Sequence, residues 1–236
     1  MTPDLLAALQ RARADKQPVV LATRLSDGLQ MLLPDPAAEP ALADFSAAAL
    51  DRDESRTVKL SGTDWFLHVH NPPFRLVLVG AVHISQAVLP MTAALGWGTI
   101  VVDPRRSFAT AERFPGVTLM TDWPDEALDA LRPDSRTAVV TLTHDPKLDD
   151  PALDRALHSP ALYIGALGSR RTHAGRLRRL AELGHDAQTM ARIRGPVGLN
   201  LEAVTAPEIA LSIVSEIVAV RRHAAIARRE ALQEAA

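Results

Sequence analysis

The segment with the strongest anion-binding pattern in the chain contains two glycines, a serine and two arginines, followed by a histidine. Glycines let a ligand approach the backbone, a serine caps a helix, and arginines beside the helix amides bind oxyanions. The candidate residues are Gly165, Gly168, Ser169, Arg170, Arg171 and His173. His173 either faces the bound group or lies on the helix surface. We interpret this segment as an oxyanion site; the alternative is a helix start whose arginines only face water.

A second candidate segment packs an imidazole, a carboxylate and an ammonium group into five residues. Its members are Thr143, His144, Asp145 and Lys147. His144 is expected to orient or protonate a ligand, and Lys147 to pair with phosphate. The alternative is a local turn in which Asp145 accepts hydrogen bonds from nearby amides. We favour a binding role, because such a turn needs neither His144 nor Lys147.

A third segment, Gly80, Ala81, Val82 and His83, occupies the place of the glycine fingerprint that binds dinucleotides. Only the first of the three fingerprint glycines is present. Val82 stands where a glycine would let a pyrophosphate approach the backbone, which makes the usual binding of NAD sterically unfavourable. A seat for a phosphate or a pterin and an ordinary tight turn are both compatible with this segment.

Asp103 and Arg105 follow Gly80 at about the distance of 20 residues that separates the ribose-binding acid from the fingerprint in nucleotide sites. The Asp103 carboxylate could accept bonds from ribose hydroxyls, and the Arg105 guanidinium could clamp a phosphate. The alternative is a surface ion pair of little energetic weight.

All four candidate segments follow short apolar runs that predict buried strands. These strands are Leu76–Val79, Thr99–Val102, Val117–Met120, Thr137–Leu142 and Leu162–Ile164. Helices are predicted near Ile84–Leu95, Asp125–Leu131, Pro151–Leu157 and Arg170–Leu183, with a last helix from a capping box at Thr205 and Glu208. Alternating strands and helices predict an α/β fold with a Rossmann-like, doubly wound parallel sheet, whose ligands bind beyond the carboxyl ends of the strands. The four segments should therefore share one edge of the sheet.

The chain before this alternating region predicts a small α+β N-terminal domain. A helix that ends near Ala14 and a second helix at Ala41–Leu50 accompany two hairpins. A proline pair, Pro72 and Pro73, ends this pattern, because proline cannot donate to a strand ladder. The predicted domains are therefore residues 1–72 and a Rossmann-like cofactor-binding domain at residues 73–236.

Charge and composition exclude several classes of function and of binding site. The 26 Lys and Arg residues are balanced by 28 Asp and Glu residues, so no overall basic field attracts a nucleic acid. Cysteine is absent, which excludes disulfides, thiolate metal sites and a persulfide on the chain itself. No metal site of the chain's own is predicted, and His158, His185 and His223 show no ligand spacing. Without a membrane span or a signal-peptide pattern, a cytoplasmic protein is expected.

The region from about Leu76 to Val220 resembles the Rossmann domain of the XdhC/CoxI family, accessory proteins of molybdenum hydroxylases such as xanthine dehydrogenase. The matching motifs are Val79–Ile84, Val102–Arg105, Leu142–Asp150, Tyr163–His173 and Pro207–Ala210. The resemblance implies a chaperone without turnover of its own that binds molybdopterin, in its mononucleotide or cytosine dinucleotide form. It also implies a cysteine desulfurase that sulfurates the bound cofactor and an apo molybdenum hydroxylase that receives it.

On this resemblance, Gly165–Arg171 would hold the pterin phosphate and Gly80–His83 would line the floor of the site. Asp103, Arg105, His144 and Lys147 would hold polar groups of the pterin or of a nucleotide tail. Longer members of the family carry an N-terminal cysteine motif that this chain lacks, which excludes sulfur relay through its own thiol.

Two other functions stay open, an NAD(P)-linked oxidoreductase and a nucleotide-sensing interaction module without chemistry. A homodimer formed through the apolar face of the last helix is also expected, because cyclic dimers are the commonest assemblies.

Overall fold

The computed structural model describes the backbone of residues 1–234 and the side chains of residues 1–223. The chain divides into two compact units, one formed by Met1–Pro72 together with the residues from Arg222 onward, the other by Pro73–Arg221. The division after Pro72 falls where the sequence predicts a domain boundary. The residues from Arg222 onward group with the first unit, although the sequence prediction places them in the second domain. Residues 235 and 236 of that predicted domain lie outside the described residues.

The first unit is a small α+β structure with an antiparallel sheet. Its elements are α1 (Pro3–Ala14), β1 (Val19–Arg24), β2 (Gln30–Leu33), α2 (Pro40–Arg52), β3 (Arg56–Leu60) and β4 (Thr63–His70). The strand order is β2-β1-β4-β3, and each pair is antiparallel. Leu42 of α2 packs with Val20 and Leu67 of the sheet in a buried apolar cluster.

The second unit is a six-stranded parallel sheet with helices on both faces. Its elements are β5 (Arg75–Val79), α3 (His83–Ala94), β6 (Gly98–Val102), β7 (Thr118–Met120), α4 (Pro124–Leu131), β8 (Thr137–Thr141), α5 (Pro146–Leu157), β9 (Tyr163–Ala166), α6 (Arg170–Glu182), α7 (Ala187–Met190), β10 (Ile193–Arg194) and the part of α8 (Ala206–Glu234) up to Arg221. The order β10-β9-β8-β5-β6-β7 is the Rossmann order, read from the opposite edge. The predicted doubly wound parallel sheet is therefore confirmed.

The central strand β5 explains why the strands of this unit read as continuous apolar runs. Leu76 and Leu78 pack in one core cluster with residues of α3 and α8, whereas Val77 and Val79 pack in a second cluster with residues of α4, α5 and α6. All four strand side chains are at most 1% exposed. Successive residues of a strand face opposite sides, so a strand covered on both faces needs apolar residues at every position.

Two boundaries differ from the sequence prediction. Helix α5 begins at Pro146, well before the predicted start at Pro151, because the Asp145 carboxylate caps it by accepting a bond from the Lys147 amide at 3.0 Å. Strand β9 continues to Ala166, so Gly165 lies inside the strand and not in the loop that follows it.

Helix α8 starts with the capping box that its sequence predicts. The Glu208 carboxylate accepts a bond from the Thr205 amide at 2.8 Å, and the Thr205 hydroxyl accepts one from the Glu208 amide at 3.4 Å. Over the described part of the chain, no helix, α8 included, combines the length and apolar character needed to cross a membrane.

Candidate functional site

The four candidate segments follow the carboxyl ends of β5, β6, β8 and β9. These strands run parallel in one sheet, so the segments lie at one edge, which we call the carboxyl edge. Strands β5 and β8 are neighbours, yet the helices that follow them pack on opposite faces of the sheet. The strand order therefore reverses at this point, which is where doubly wound sheets bind their ligands.

The turn after β5 brings the backbone of the two central loops together. Gly80 has φ +121°, and a Cβ atom at this position would lie 2.8 Å from Cγ2 of Thr143 in the loop after β8. Helix α3 starts beyond this turn with Val82 as its N-cap residue, which supplies no side-chain hydrogen bond. The first-turn amides of α3 therefore lack a side-chain acceptor, and the neighbouring His83 is exposed at the same edge.

Asp103 has a different role from the ligand contact that its spacing predicts. Its carboxylate is fully buried and accepts bonds from the Ala81 amide at 2.8 Å, from the Arg105 amide at 3.0 Å and from the Arg105 guanidinium at 2.9 and 2.8 Å. Burial alone would raise the pKa of Asp103, but these bonds outweigh it and the pKa is lowered. Asp103 thus ties the end of β6 to the glycine turn with both oxygens engaged.

The Arg105 side chain remains partly accessible at this edge. The side chain is 36% exposed, and its guanidinium carbon lies 4.6 Å from the ring centre of Phe108. Because the pair with Asp103 is bidentate, Arg105 is held in place and presents only part of its surface to a ligand.

The segment after β8 combines the local turn with exposed basic groups. Asp145 forms the turn that the alternative interpretation predicts, because its carboxylate caps α5. His144 is exposed and has φ +62°, a backbone conformation that residues other than glycine rarely adopt. Lys147 is exposed in the first turn of α5. Their imidazole and ammonium groups are thus accessible at the carboxyl edge.

Sequence reasoning missed a buried network of polar side chains behind these loops. The Thr143 hydroxyl donates to Oδ1 of Asp149 at 2.7 Å, and Oδ2 of Asp149 lies 3.6 Å from Nη2 of Arg176. Nη2 in turn donates to the Leu167 carbonyl at 2.8 Å. This network therefore connects the loop after β8 with the loop after β9.

The two charged side chains of this network, Asp149 and Arg176, are each 2% exposed. Burial raises the pKa of Asp149 and lowers that of Arg176, although each charge favours the ionised form of the other. Within the described structure, Nε and Nη1 of Arg176 have no hydrogen-bond partner. The available sequence signal is that Arg176 lies four residues before the buried Leu180, on the same face of α6.

The start of α6 has the form that its sequence predicts. The Ser169 hydroxyl caps the helix by accepting a bond from the Thr172 amide at 3.1 Å. Gly168 has φ +138°, and a Cβ atom there would lie 3.0 Å from Cγ2 of Thr172. Arg170 and Arg171 are exposed in the first turn, where the helix dipole already favours anions.

Gly165 and His173 face the protein interior. A Cβ atom at Gly165 would lie 2.5 Å from Cγ2 of Val197 and 2.7 Å from Cε1 of Tyr163, so the protein's own side chains take the space. The His173 ring occupies the space where a Cβ atom of Gly195 would lie. Its Nδ1 is buried and has no hydrogen-bond partner within the described structure, and burial lowers its pKa. Packing thus accounts for both residues.

In the four segments, the acidic side chains are therefore bound internally, whereas most of the basic ones are accessible. The carboxylates of Asp103 and Asp145 are bound to groups of the protein itself. The exposed ionisable side chains are basic: His83, His144, Lys147, Arg170 and Arg171. Helices α3, α5 and α6 add their positive ends at this edge, because each follows a strand that ends there. Such an arrangement suits an anionic ligand.

Comparison with known proteins assigns the fold to a family. Residues 76–217 match the family model described as the XdhC Rossmann domain. The chain is 34% identical over 152 residues to the molybdenum cofactor insertion chaperone PaoD of Escherichia coli K12, a match of 64% of this chain and 42% of that protein. It is 31% identical over 165 residues to a protein of Bacillus subtilis 168 named as a probable xanthine dehydrogenase subunit, a match of 70% and 48% respectively.

A solved structure shares the fold. The crystal structure described as a xanthine dehydrogenase from Bacillus halodurans superposes with a TM-score of 0.69 at 23% identity, over 94% of this chain and 66% of that chain. The chain thus spans less than half of the two curated relatives and about two thirds of the solved chain. Because the family match covers residues 76–217, more than half of the sequence, the chain belongs to the XdhC Rossmann-domain family.

Proposed function

We propose that this protein binds the molybdenum cofactor at the carboxyl edge and inserts it into a molybdenum hydroxylase of the xanthine dehydrogenase type. The observation that carries the proposal concerns the four segments at that edge: their Asp103 and Asp145 carboxylates are bound internally, and their exposed ionisable side chains are basic. The cofactor is an anionic pterin, which such an edge attracts. The relative PaoD is named as a molybdenum cofactor insertion chaperone, which supports this choice of anion.

The residues present fit the phosphate of such a cofactor. The first-turn amides of α6 and the exposed guanidinium groups of Arg170 and Arg171 offer hydrogen-bond donors without a competing acid in the segment. His144 and Lys147 offer further donors at the loop after β8. When bound, the cofactor supplies the molybdenum centre that the client hydroxylase uses. The chain's own residues bind and orient it.

The remaining expected binding residues serve best as supports in this proposal. Asp103 and Ala81 fix the turn after β5, and Thr143 fixes the loop after β8 through Asp149. Gly165 and His173 shape the interior beneath α6. We therefore assign direct contact with the cofactor to the exposed basic side chains and to the helix amides.

The partners follow from the same proposal. A chain without cysteine holds no thiol for a sulfur relay, so a separate cysteine desulfurase would sulfurate the bound cofactor. The hydroxylase partner is supported by the relative named as a probable xanthine dehydrogenase subunit. A cytosine dinucleotide form of the cofactor, a homodimer and a cytoplasmic location belong to the proposal as well.

The site favours this cofactor over NAD(P). The ribose hydroxyls of NAD need a free acid, whereas both oxygens of Asp103 are bound to Arg105 and Ala81. Val82 also stands where the fingerprint has a glycine. These two residues weigh against the oxidoreductase alternative.

Two single substitutions test the site. Arg170→Ala and His144→Ala each remove an exposed donor, and we expect the dissociation constant for anaerobically released molybdenum cofactor to rise about tenfold in each variant. The matched control is Arg178→Ala, which removes the same charge from an exposed position further along α6. Circular dichroism checks that all three variants fold. Wild-type retention of the cofactor in both site variants would overturn the proposed site.

A further inference from the structure

A cluster of ionisable side chains lies on the side of the sheet opposite to the carboxyl edge, towards the amino ends of the strands. It consists of Asp154, His158 and His185. Asp154 and His158 lie at the end of α5, and His185 follows the end of α6. These helix ends lead back towards the amino ends of β9 and β10, so the cluster is separate from the candidate cofactor site.

The donor atoms of the cluster are close enough to share one metal ion. Nε2 of His185 lies 2.7 Å from Oδ1 of Asp154, and Nδ1 of His158 lies 3.7 Å from the same oxygen. Each residue offers one ligand atom, and these atoms all lie within 4.8 Å of one another. Ligands of a tetrahedral Zn²⁺ site are roughly 3.3 Å apart, given metal–ligand distances near 2.0 Å. The observed distances bracket this value.

The cluster combines one buried, fixed histidine with one that is open to solvent. The His185 side chain is 6% exposed and is held by Asp154, whereas the His158 side chain is 65% exposed and leaves a path from solvent. Nδ1 of His158 also lies 2.8 Å from the Asp154 carbonyl oxygen, and a metal bound at this nitrogen would replace that contact.

Charges near the cluster are compatible with a cation. Asp186 follows His185 directly in the chain and its carboxylate, which accepts a bond from the Thr189 amide at 2.7 Å, adds negative charge. Arg155 lies 3.6 Å from the Asp129 carboxylate, and Arg192 donates to the carbonyls of Leu157, Ser159 and Ala161. Both of these guanidinium groups are therefore directed to other acceptors.

We propose that Asp154, His158 and His185 bind a divalent transition-metal ion of the Zn²⁺ class. Two imidazole nitrogens and one carboxylate oxygen suit this class, and the exposed side of His158 leaves a coordination position for water. The bound ion would join the end of α5 to the segment after α6 and stabilise this edge of the sheet. The sequence shows no ligand spacing for these residues, because they meet only when α5 and α6 pack together.

The test uses the metal alone and the full chain without a histidine tag, after dialysis against a chelator. Isothermal titration with Zn²⁺ is expected to show one site of micromolar affinity. We expect His158→Ala and His185→Ala each to weaken it about tenfold or more, because changes to residues that only orient a metal ligand already cost about 10- to 100-fold. The matched control is His223→Ala, an exposed histidine outside the cluster, which should bind as the wild type does.

Thermal unfolding provides a second readout. Zn²⁺ should raise the unfolding temperature of the wild type and of His223→Ala, because a ligand that binds only the folded state stabilises it. It should raise that of His158→Ala by a smaller amount. His158 is exposed, so this variant is expected to fold even where His185→Ala does not. Absence of Zn²⁺ binding by the wild type, or equal binding by wild type and His158→Ala, would overturn the proposal.

Discussion

Asp103 shows what a sequence pattern reveals about a single residue and what it leaves out. The spacing from Gly80 predicts that Asp103 contacts ribose hydroxyls, whereas in the structure its carboxylate accepts a bond from the Ala81 amide. The pattern does not reveal that Arg105 occupies both carboxylate oxygens. A hydrogen-bond partner depends on side-chain conformation and burial, which spacing along the chain does not determine.

Asp103→Asn should destabilise the second unit. The amide would place an NH₂ donor against the Arg105 and Ala81 donors and would remove a buried charge from its partner. We expect the free energy of unfolding to fall by about 2 to 3 kcal/mol. Urea denaturation followed by circular dichroism measures this change.

Asp122→Asn is the control for that substitution, because it removes the same charge from an exposed residue. Its effect should stay within about 0.5 kcal/mol of zero. Equal stability of Asp103→Asn and Asp122→Asn would show that the buried bonds of Asp103 do not support the fold.

His173 should make stability depend on pH. Burial and the charge of Arg176 lower its pKa in the folded state, so the unfolded chain binds a proton first as the pH falls. The contribution of His173 is therefore complete above about pH 6.5, the ordinary histidine pKa, and is lost as the pH falls towards the lowered pKa. His70, whose pKa is lowered by burial, adds to the same trend.

The variant His173→Gln isolates this contribution. Its free energy of unfolding should fall less steeply between pH 7 and 5 than that of the wild type, by no more than about 1.4 kcal/mol per pH unit, the limit for one proton. His223→Gln, at an exposed position, should keep the wild-type slope. Identical slopes for His173→Gln and the wild type would contradict the assignment.

At the scale of elements, the long amphipathic and apolar segments could be predicted from the sequence and the short ones could not. Strands β5, β6 and β8 lie within one residue of their predicted bounds, because their apolar runs are flanked by turn residues. Helix α7 and strand β10 have only four and two residues, too few to show any periodicity. The early start of α5 depends on the cap at Asp145, which competes with the equally plausible signal of Pro151.

The end of β9 provides a prediction about packing. Gly165→Ala would place a Cβ atom 2.5 Å from Val197 and 2.7 Å from Tyr163, and we expect it to cost about 1 to 3 kcal/mol of stability through overpacking. A second substitution, Val197→Ala, makes room for that methyl group. The double variant should therefore be more stable than the sum of the two single changes predicts.

Gly175→Ala serves as the comparison for this experiment. Gly175 lies within α6, and a Cβ atom there would meet its nearest neighbour at an ordinary 3.6 Å. Alanine should stabilise the helix by about 0.5 to 1 kcal/mol. Additive effects of Gly165→Ala and Val197→Ala would show that the close approach at β9 does not limit the strand.

At the scale of the whole molecule, the alternating pattern predicts a doubly wound sheet, and handedness then places all loops after strands at one edge. The sequence could therefore predict that the four candidate segments share an edge. It could not reveal the buried network of Thr143, Asp149 and Arg176, because Arg176 lies among basic residues of α6 that mostly face solvent. The cluster of Asp154, His158 and His185 has no pattern in the sequence for a related reason, since its members are brought together only by the packing of α5 and α6.

The central claim is that the carboxyl edge binds the molybdenum cofactor, and a binding titration tests it most directly. The full chain is titrated with anaerobically released molybdenum cofactor and, separately, with NAD(H) and NADP(H). Trp123, which is 51% exposed and precedes α4 at the carboxyl edge, reports on binding by fluorescence, and co-elution reports on retention. The account predicts micromolar binding and co-elution of the molybdenum cofactor, with little response to either nicotinamide. Tight nicotinamide binding without retention of the molybdenum cofactor would contradict it.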